Sequence, residues 1–227
     1  MKSVIITGSK GLIGSELVNH LLGKNYFVHE LDILMGHDLS DENFVKKYFR
    51  EIKADFLVNC FALNDHIVPG GEKVTLFDVS LESLANFLTI NTISLFSVCR
   101  AFAANNRDKD AGIINFASTY SVVSSNPALY NGYEKDIRYV ISKAAVPQLT
   151  RHLAVHLAPG IRVNCVIPHG IKHEQGHDFE ERFKKLSPMN RMMDKSELNG
   201  LIEYLCSDNS SYMTGSIIMV DGGWSIW

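Results

Sequence analysis

The sequence predicts an α/β fold: a doubly wound parallel sheet with helices on both faces, formed by residues 1–227 as a single domain. Three observations carry this expectation. Short apolar runs alternate with stretches of helical period along the whole chain, the pattern of strands buried on both faces and joined by crossover helices. The first of these runs, Val4-Ile5-Ile6, leads directly into a glycine-rich turn and then an apolar helical segment. No Pro/Gly/Ser-rich linker divides the chain, no internal repeat is found, and 227 residues are enough for one large core.

Taken in order, strands are expected at 3–7, 27–31, 56–60, 112–117, 162–167 and 217–220, and helices at about 12–24, 41–53, 80–106, 138–157, 177–186 and 195–206. Asp38 follows Asp32 by only six residues, so a further strand near residues 35–37 can be at most a stub with no room for a helix before it, and one face of the sheet is expected to be thinly covered there. Pro147 falls inside a helical segment; it cannot donate to the Lys143 carbonyl, so a bend or an early-turn position is expected.

The turn after the first strand reads Thr7-Gly8-Ser9-Lys10-Gly11-Leu12-Ile13-Gly14. Gly8 suits the tight turn out of the strand, Gly11 a close approach of backbone to a pyrophosphate, and Gly14 the packing of helix on sheet. With the helix N-terminus that follows, this is the make-up of a dinucleotide-phosphate site built from residues 8–14. Asp32 closes the second strand eighteen residues beyond Gly14. A carboxylate there accepts from both ribose hydroxyls and repels a 2′-phosphate, so NAD(H) is the expected cofactor; Lys10 is the contrary hint, and NADP(H) stays open.

Tyr139 and Lys143, in Tyr139-Val140-Ile141-Ser142-Lys143, lie four residues apart and so on one helix face. A neighbouring cation favours the phenolate, which suits such a tyrosine to proton exchange near neutral pH. The bulk numbers exclude other classes. A formal charge of −3 and a pI near 6.3 point to neither nucleic acid nor membrane. The four cysteines (Cys60, Cys99, Cys165, Cys206) show no paired or metal-ligand spacing and are expected as buried free thiols, with no metal. With the first strand starting near residue 3 and no apolar run of spanning length, a cytoplasmic location is the expectation.

These motifs, in this order, resemble the short-chain dehydrogenase/reductase family, in its compact branch, over essentially the whole chain. Asn59-Cys60-Phe61-Ala62 is similar to the family's Asn-Asn-Ala-Gly stretch, Asn91 falls at its helix asparagine, and Ser118 falls at its catalytic serine. Residues 162–170 resemble the nicotinamide-contacting segment, which assigns Pro168, Gly170 and Ile171 to the cofactor. Asp38-Leu39 resembles the acidic turn facing the adenine ring, and Thr214-Gly215 with Val220-Asp221-Gly222-Gly223 the C-terminal signature. The resemblance implies a Rossmann-like fold. It also implies Tyr139 as general acid or base, Lys143 lowering its pKa and holding the ribose, Ser118 donating to the reacting oxygen, and Asn91 holding a relay water.

Departures from the family pattern narrow the reading. The Gly-x-x-Gly-x-x-Gly spacing is nearer the extended branch. Ser118 and Tyr139 are twenty-one residues apart, longer than the compact branch commonly has, and the extra material at about 126–137 carries Pro127, Tyr130 and Tyr133. With Ser118-Thr119-Tyr120 and the tail 221–227, this insertion resembles oxidoreductases of flagellin-glycan and legionaminic-acid-type sugar biosynthesis. A small sugar-like substrate is therefore expected; the alternatives are a general carbonyl or hydroxy-compound dehydrogenase and a non-catalytic cofactor-sensing subunit. The charges at 172–185 read as an exposed helix with paired charges. Trp224, Ile226 and Trp227 read as an apolar end to be covered in a homodimer or homotetramer, as the long helices at 80–106 and 138–157 are in relatives.

Overall fold

The computed structural model describes residues 1–65, 74–107 and 110–226. Six strands, β1 (Ser3–Thr7), β2 (Phe27–Leu31), β3 (Phe56–Asn59), β4 (Ala111–Phe116), β5 (Ile161–Pro168) and β6 (Ile217–Val220), fall within one residue of their expected bounds. They form one sheet in the order β2-β1-β3-β4-β5-β6, every neighbouring pair parallel. Alternate residues serve opposite faces, as the pleat requires. Val4, Ile6 and Val58 pack with Leu17 and Leu21 of α1 (Leu12–Gly23) and Ile202 and Leu205 of α8 (Asn199–Leu205). Ile5 and Leu57 pack on the other side with α2 (Glu42–Glu51), α4 (Leu95–Asn105) and α6 (Ile137–Leu157) through Val45, Phe49, Val98, Phe102 and Val146.

No strand stub forms near residues 35–37. Residues Ile33–Met35 make a single 3-10 turn, and no strand lies between β2 and β3 among the described residues. The turn is locally satisfied: the Asp32 carboxylate accepts from Leu34 N at 2.9 Å, and Gly36 takes the left-handed conformation (φ 81°) that ends it. β2 is therefore an edge strand, and the thin cover anticipated there is real: Phe27 is 55% exposed.

Three helical expectations are also revised. The 80–106 helix is interrupted: α3 (Leu81–Leu88) passes through a π-helical turn, Thr89–Ser94, into α4. By length and composition the continuous stretch Leu81–Asn105 could cross a membrane, contrary to the reading from apolar runs. Its apolar face is used in the protein, where Val98, Cys99 and Phe102 are packed against the sheet. Pro147 sits mid-helix in α6, buried, and not in an early turn. The 195–206 helix begins as a 3-10 turn, Lys195–Leu198, held by an Asp194/Glu197 capping box.

The 126–137 insertion contains a short helix, α5 (Pro127–Tyr130), capped by Asn126. It buries Leu129 and Tyr130 in a third apolar cluster with Tyr120, Phe183, Met192 and Trp224. Trp224, expected in an apolar end covered by a second copy, is 8% exposed and stacks on Phe183 of its own chain at 5.0 Å; Ile226 is exposed, and Trp227 lies outside the described residues. All four cysteines are free, with Cys99, Cys165 and Cys206 buried and Cys60 partly so.

Phe49 of α2 meets Phe102 of α4 edge-on at 6.3 Å in the core of the α2/α4/α6 face. Phe49→Ala should cost about 3–5 kcal/mol in urea unfolding, whereas Phe27→Ala on the open edge should change stability by about 0.5 kcal/mol or less.

Candidate active site

A cavity of about 1430 Å³ opens across the carboxyl ends of the strands, where an open parallel sheet places its ligand crevice. One end is built by the glycine loop. Gly8 holds φ +66°, and a Cβ there would stand 2.6 Å from Phe61 N. A Cβ on Gly14 would stand 2.0 Å from the Gly8 carbonyl oxygen, so β1, the start of α1 and the segment after β3 can approach only with glycine at both positions. Gly11 is the N-cap of α1 and lines the cavity with Lys10, Leu12, Ile13 and Gly14. Ser9 is brought to the loop but not to the cavity: its N–H donates to Leu31 O at 3.2 Å and its hydroxyl faces Met35.

Asp32 is buried at the end of β2 and binds both sides of the crevice rim. One carboxylate oxygen accepts from Lys10 N at 2.9 Å and the other from Leu34 N. The Lys10 ammonium is paired with Glu30 at 2.5 Å, which partly neutralises the one cation in the loop. Asp38 and Leu39 line the cavity beyond Asp32. Hydrogen bonds from the Ser40 hydroxyl and N–H, at 2.7 and 2.8 Å, hold the Asp38 carboxyl below the usual range.

After β3, Cys60, Phe61 and Ala62 line the cavity, and burial keeps the Cys60 thiol protonated. The Asn59 side chain turns away from it. Its amide accepts from Thr7 Oγ1 at 3.0 Å and donates to Asn115 Oδ1 at 2.9 Å beneath the cleft, so the side chain serves the sheet and cannot also face a ligand. Asn91 is set in the π-helical turn, again with its amide fully engaged. Oδ1 accepts from Leu63 N at 2.7 Å, and Nδ2 donates to Leu63 O and to Ser142 Oγ, each at 2.9 Å. The Ser142 hydroxyl in turn donates to Tyr139 O at 2.9 Å. These bonds make a positioning contact: the Asn91 side chain ties the loop after β3 to α6.

Ser118, Tyr139 and Lys143 meet in the cavity wall. Ser118 lies just after β4 and lines the cavity with Tyr139; its hydroxyl accepts from Tyr120 N at 3.3 Å. Burial raises the Tyr139 pKa, and the Ser118 side chain partly opposes it. The Lys143 ammonium donates to Phe116 O at 2.9 Å and lies 5.9 Å from the Tyr139 ring centre. Burial lowers its pKa from 10.5 to about 8. Desolvation dominates at both groups.

The opposite wall comes from the end of β5. Pro168, Gly170 and Ile171 line the cavity, and a Cβ on Gly170 (φ +58°) would stand 2.1 Å from the Phe183 ring. His169 is buried among Tyr120, Phe183 and Trp224, with Nδ1 bonded to Thr119 Oγ1 at 2.5 Å. Burial lowers its pKa to about 4, so the imidazole is neutral near pH 7. The charges at 172–185 divide: Lys172 pairs with Glu180 and Lys184 with Glu181, as an exposed helix would, while Arg182 of α7 (His177–Leu186) donates to Leu129 O and fastens α7 to the insertion.

Comparison with known proteins agrees with this geometry. A family model described as enoyl-(acyl carrier protein) reductase matches residues 22–225. The chain belongs to the short-chain dehydrogenase/reductase family. It is 30% identical over 214 residues to the short-chain dehydrogenase fogB of Aspergillus ruber, covering 82% of this chain and 74% of that one. It is 25% identical to post-translational flagellin modification protein A of Campylobacter coli, covering 99% and 98%. Three further curated relatives are matched over only 54–56% of their own length. Among solved structures, a short-chain dehydrogenase from Leptospira borgpetersenii with bound NAD+ superposes with a TM-score of 0.88 at 28% identity, covering 99% and 93%.

The sequence reading of this dehydrogenase/reductase missed the residues that close the cavity away from the glycine loop: Leu63, Asn64, Lys135, Phe179 and Met192. Lys135 stands four residues before Tyr139 but precedes the Asp136 N-cap of α6, so no helix-face spacing marked it in the sequence.

The depressed Lys143 pKa has a definite consequence for stability. Below about pH 8 the folded and unfolded chains both hold the proton, and the buried charge opposes folding in full. Between there and about 10.4 the folded state releases a proton that the unfolded chain keeps, so this residue's share of stability rises with pH. Lys143→Met should therefore be more stable than the wild type by about 1–3 kcal/mol at pH 7, with the margin shrinking toward pH 10. Thermal unfolding of both proteins across that range checks it; a margin that widens with pH contradicts it.

Proposed function

We propose that this short-chain dehydrogenase/reductase is an NAD(H)-preferring oxidoreductase acting on a hydroxyl or carbonyl of a small sugar-like substrate, in surface-glycan or nonulosonic-acid biosynthesis. The observation that carries the reading is one cavity joining the glycine cradle to the Ser118–Tyr139–Lys143 wall. The cradle suits a dinucleotide: Cβ atoms are excluded at Gly8 and Gly14 where the backbone comes close, and α1 presents its N-terminus. Residues 8–14 would hold the pyrophosphate, Asp32 the adenosine ribose, Asp38 and Leu39 the adenine end, and Pro168, Gly170 and Ile171 the carboxamide end. Asp32 together with the pairing of Lys10 to Glu30 favours NAD(H) over NADP(H). The bound NAD+ of the Leptospira relative and the name of the Campylobacter flagellin-modification relative support the cofactor and the glycan context.

The nicotinamide, when bound, supplies or accepts the hydride. The protein's own part is positioning and proton handling. Tyr139 exchanges a proton with the substrate oxygen, and Ser118 hydrogen-bonds that oxygen as charge develops on it. Lys143, already desolvated, gains a ribose partner and with it a reason to stay charged beside the phenol. Asn91 acts through Ser142 and Leu63 by fixing the start of α6 against the loop after β3. The same reading takes residues 1–227 as one domain, in the cytoplasm, paired as a homodimer or homotetramer. Ile93, Phe96 and Val155, exposed on the long helices, are the residues a second copy would cover.

NADH at about 100 times its dissociation constant should add roughly 2.7 kcal/mol of stability, read as a rise in Tm, with a smaller rise from NADPH at the same concentration. Tyr139→Phe should lose turnover by at least about 100-fold while keeping the NADH shift. Equal shifts from the two cofactors would remove Asp32 as the selector, and undiminished turnover in Tyr139→Phe would overturn the mechanism.

A further inference from the structure

Lys135, supplied by the insertion before α6, lines the same cavity as Tyr139 and is withdrawn from solvent. Its ammonium lies 4.5 Å from the centre of the Tyr139 ring and donates one hydrogen bond, to Asn64 Oδ1 at 2.7 Å. An ammonium has three donors, and among the described residues no carboxylate pairs with this one. The acidic groups around it are committed elsewhere. Arg138 binds Asp136 at 2.6 Å and Asp65 at 2.9 Å, and Glu134 accepts from Leu76 N at 3.0 Å. A desolvated cation with spare donors, facing a cavity beside the reacting group, is a costly feature unless an anion completes it.

We propose that Lys135 is a specificity-determining residue that binds an anionic oxygen group of the substrate, a carboxylate or a phosphate, next to the carbon on which Tyr139 acts. This rests on the cavity being the site of hydride transfer. The substrate class it names is a sugar acid or sugar phosphate, in preference to a neutral sugar. The position fits that role: Lys135 reaches the cavity from the side of Leu63 and Asn64, away from the glycine cradle at the other end. Burial also lowers its pKa to about 8, against the opposing pull of the Asp136 and Asp65 charges, which lie near it but are bound by Arg138. Asn64 fixes its direction, so the two remaining donors point from a held position and not from a freely turning chain.

The test is binding of three probes, D-glycerate, inorganic phosphate and glycerol, to the protein saturated with NADH, followed by NADH fluorescence. One anion should bind at least about tenfold more tightly than glycerol, and Lys135→Met should remove that advantage while leaving glycerol unchanged. Lys135→Arg should restore most of it. Glycerate ahead of phosphate assigns a carboxylate, and the reverse a phosphate. The proposal is overturned if all three probes bind alike, if neither anion binds, if Lys135→Met keeps the anion preference, or if that variant weakens NADH itself. Failure of the underlying reading shows separately, as no Tm shift with NADH in the wild type; binding of the three probes to the free protein, followed by the rise in Tm, then still reads Lys135.

Discussion

Beneath the cleft, Thr7, Asn59, Asn115 and Thr150 form a continuous buried chain of side-chain hydrogen bonds. Thr7 Oγ1 donates to Asn59 Oδ1 at 3.0 Å, Asn59 Nδ2 to Asn115 Oδ1 at 2.9 Å, and Asn115 Nδ2 to Thr150 Oγ1 at 3.1 Å. The chain runs across β1, β3 and β4 to α6, just before the points where those strands release the glycine loop, the Cys60–Ala62 wall and Ser118. Every donor and acceptor used is in a low-dielectric interior, where a broken link would leave an unsatisfied group at a cost of about 1–3 kcal/mol. The relative positions of the cradle and the catalytic wall therefore depend on a network that lies outside the cavity lining.

Above that network, burial sets the electrostatics. It raises the Tyr139 phenol and lowers the ammoniums of Lys143 and Lys135, each to about 8. The Lys135 and Lys143 ammoniums lie 4.5 and 5.9 Å from the Tyr139 ring centre, so two cations that the protein keeps poorly solvated stand near this ring. Such groups gain most when a ligand brings hydrogen-bond partners and negative charge. His169 belongs to the same dry region but is held neutral, and its ring serves as a wall shared with Tyr120, Phe183 and Trp224.

At the other end of the cleft, loss of a strand and helix after β2 is offset locally. Asp32 uses one oxygen on the glycine loop and the other on the 3-10 turn, so the rim is closed by a single carboxylate where the family places a longer segment. Leu39 is buried with Leu31, Val45 and Phe49, which keeps α2 seated although the edge strand above it is partly bare.

The six strands, the glycine cradle, Asp32 and the Tyr139–Lys143 pair were legible in the amino-acid sequence, because each rests on local periodicity, on backbone conformation or on a spacing along one helix; Ser118 was legible only through the resemblance to the family. Tertiary structure alone decided what depends on distant partners. Asn59 and Asn91 have the right residue types for ligand contact, yet their amides are consumed by Thr7, Asn115, Leu63 and Ser142, which no spacing reveals. Trp224 reads as part of an apolar end for a second copy to cover until Phe183 is seen to stack on it within the chain. Lys135 reads as a surface lysine in an inserted loop until Arg138 is seen to take both neighbouring aspartates. Sequence specifies what a segment can form by itself; whether a polar group faces a ligand is settled by which partners the folded chain brings within about 3 Å of it.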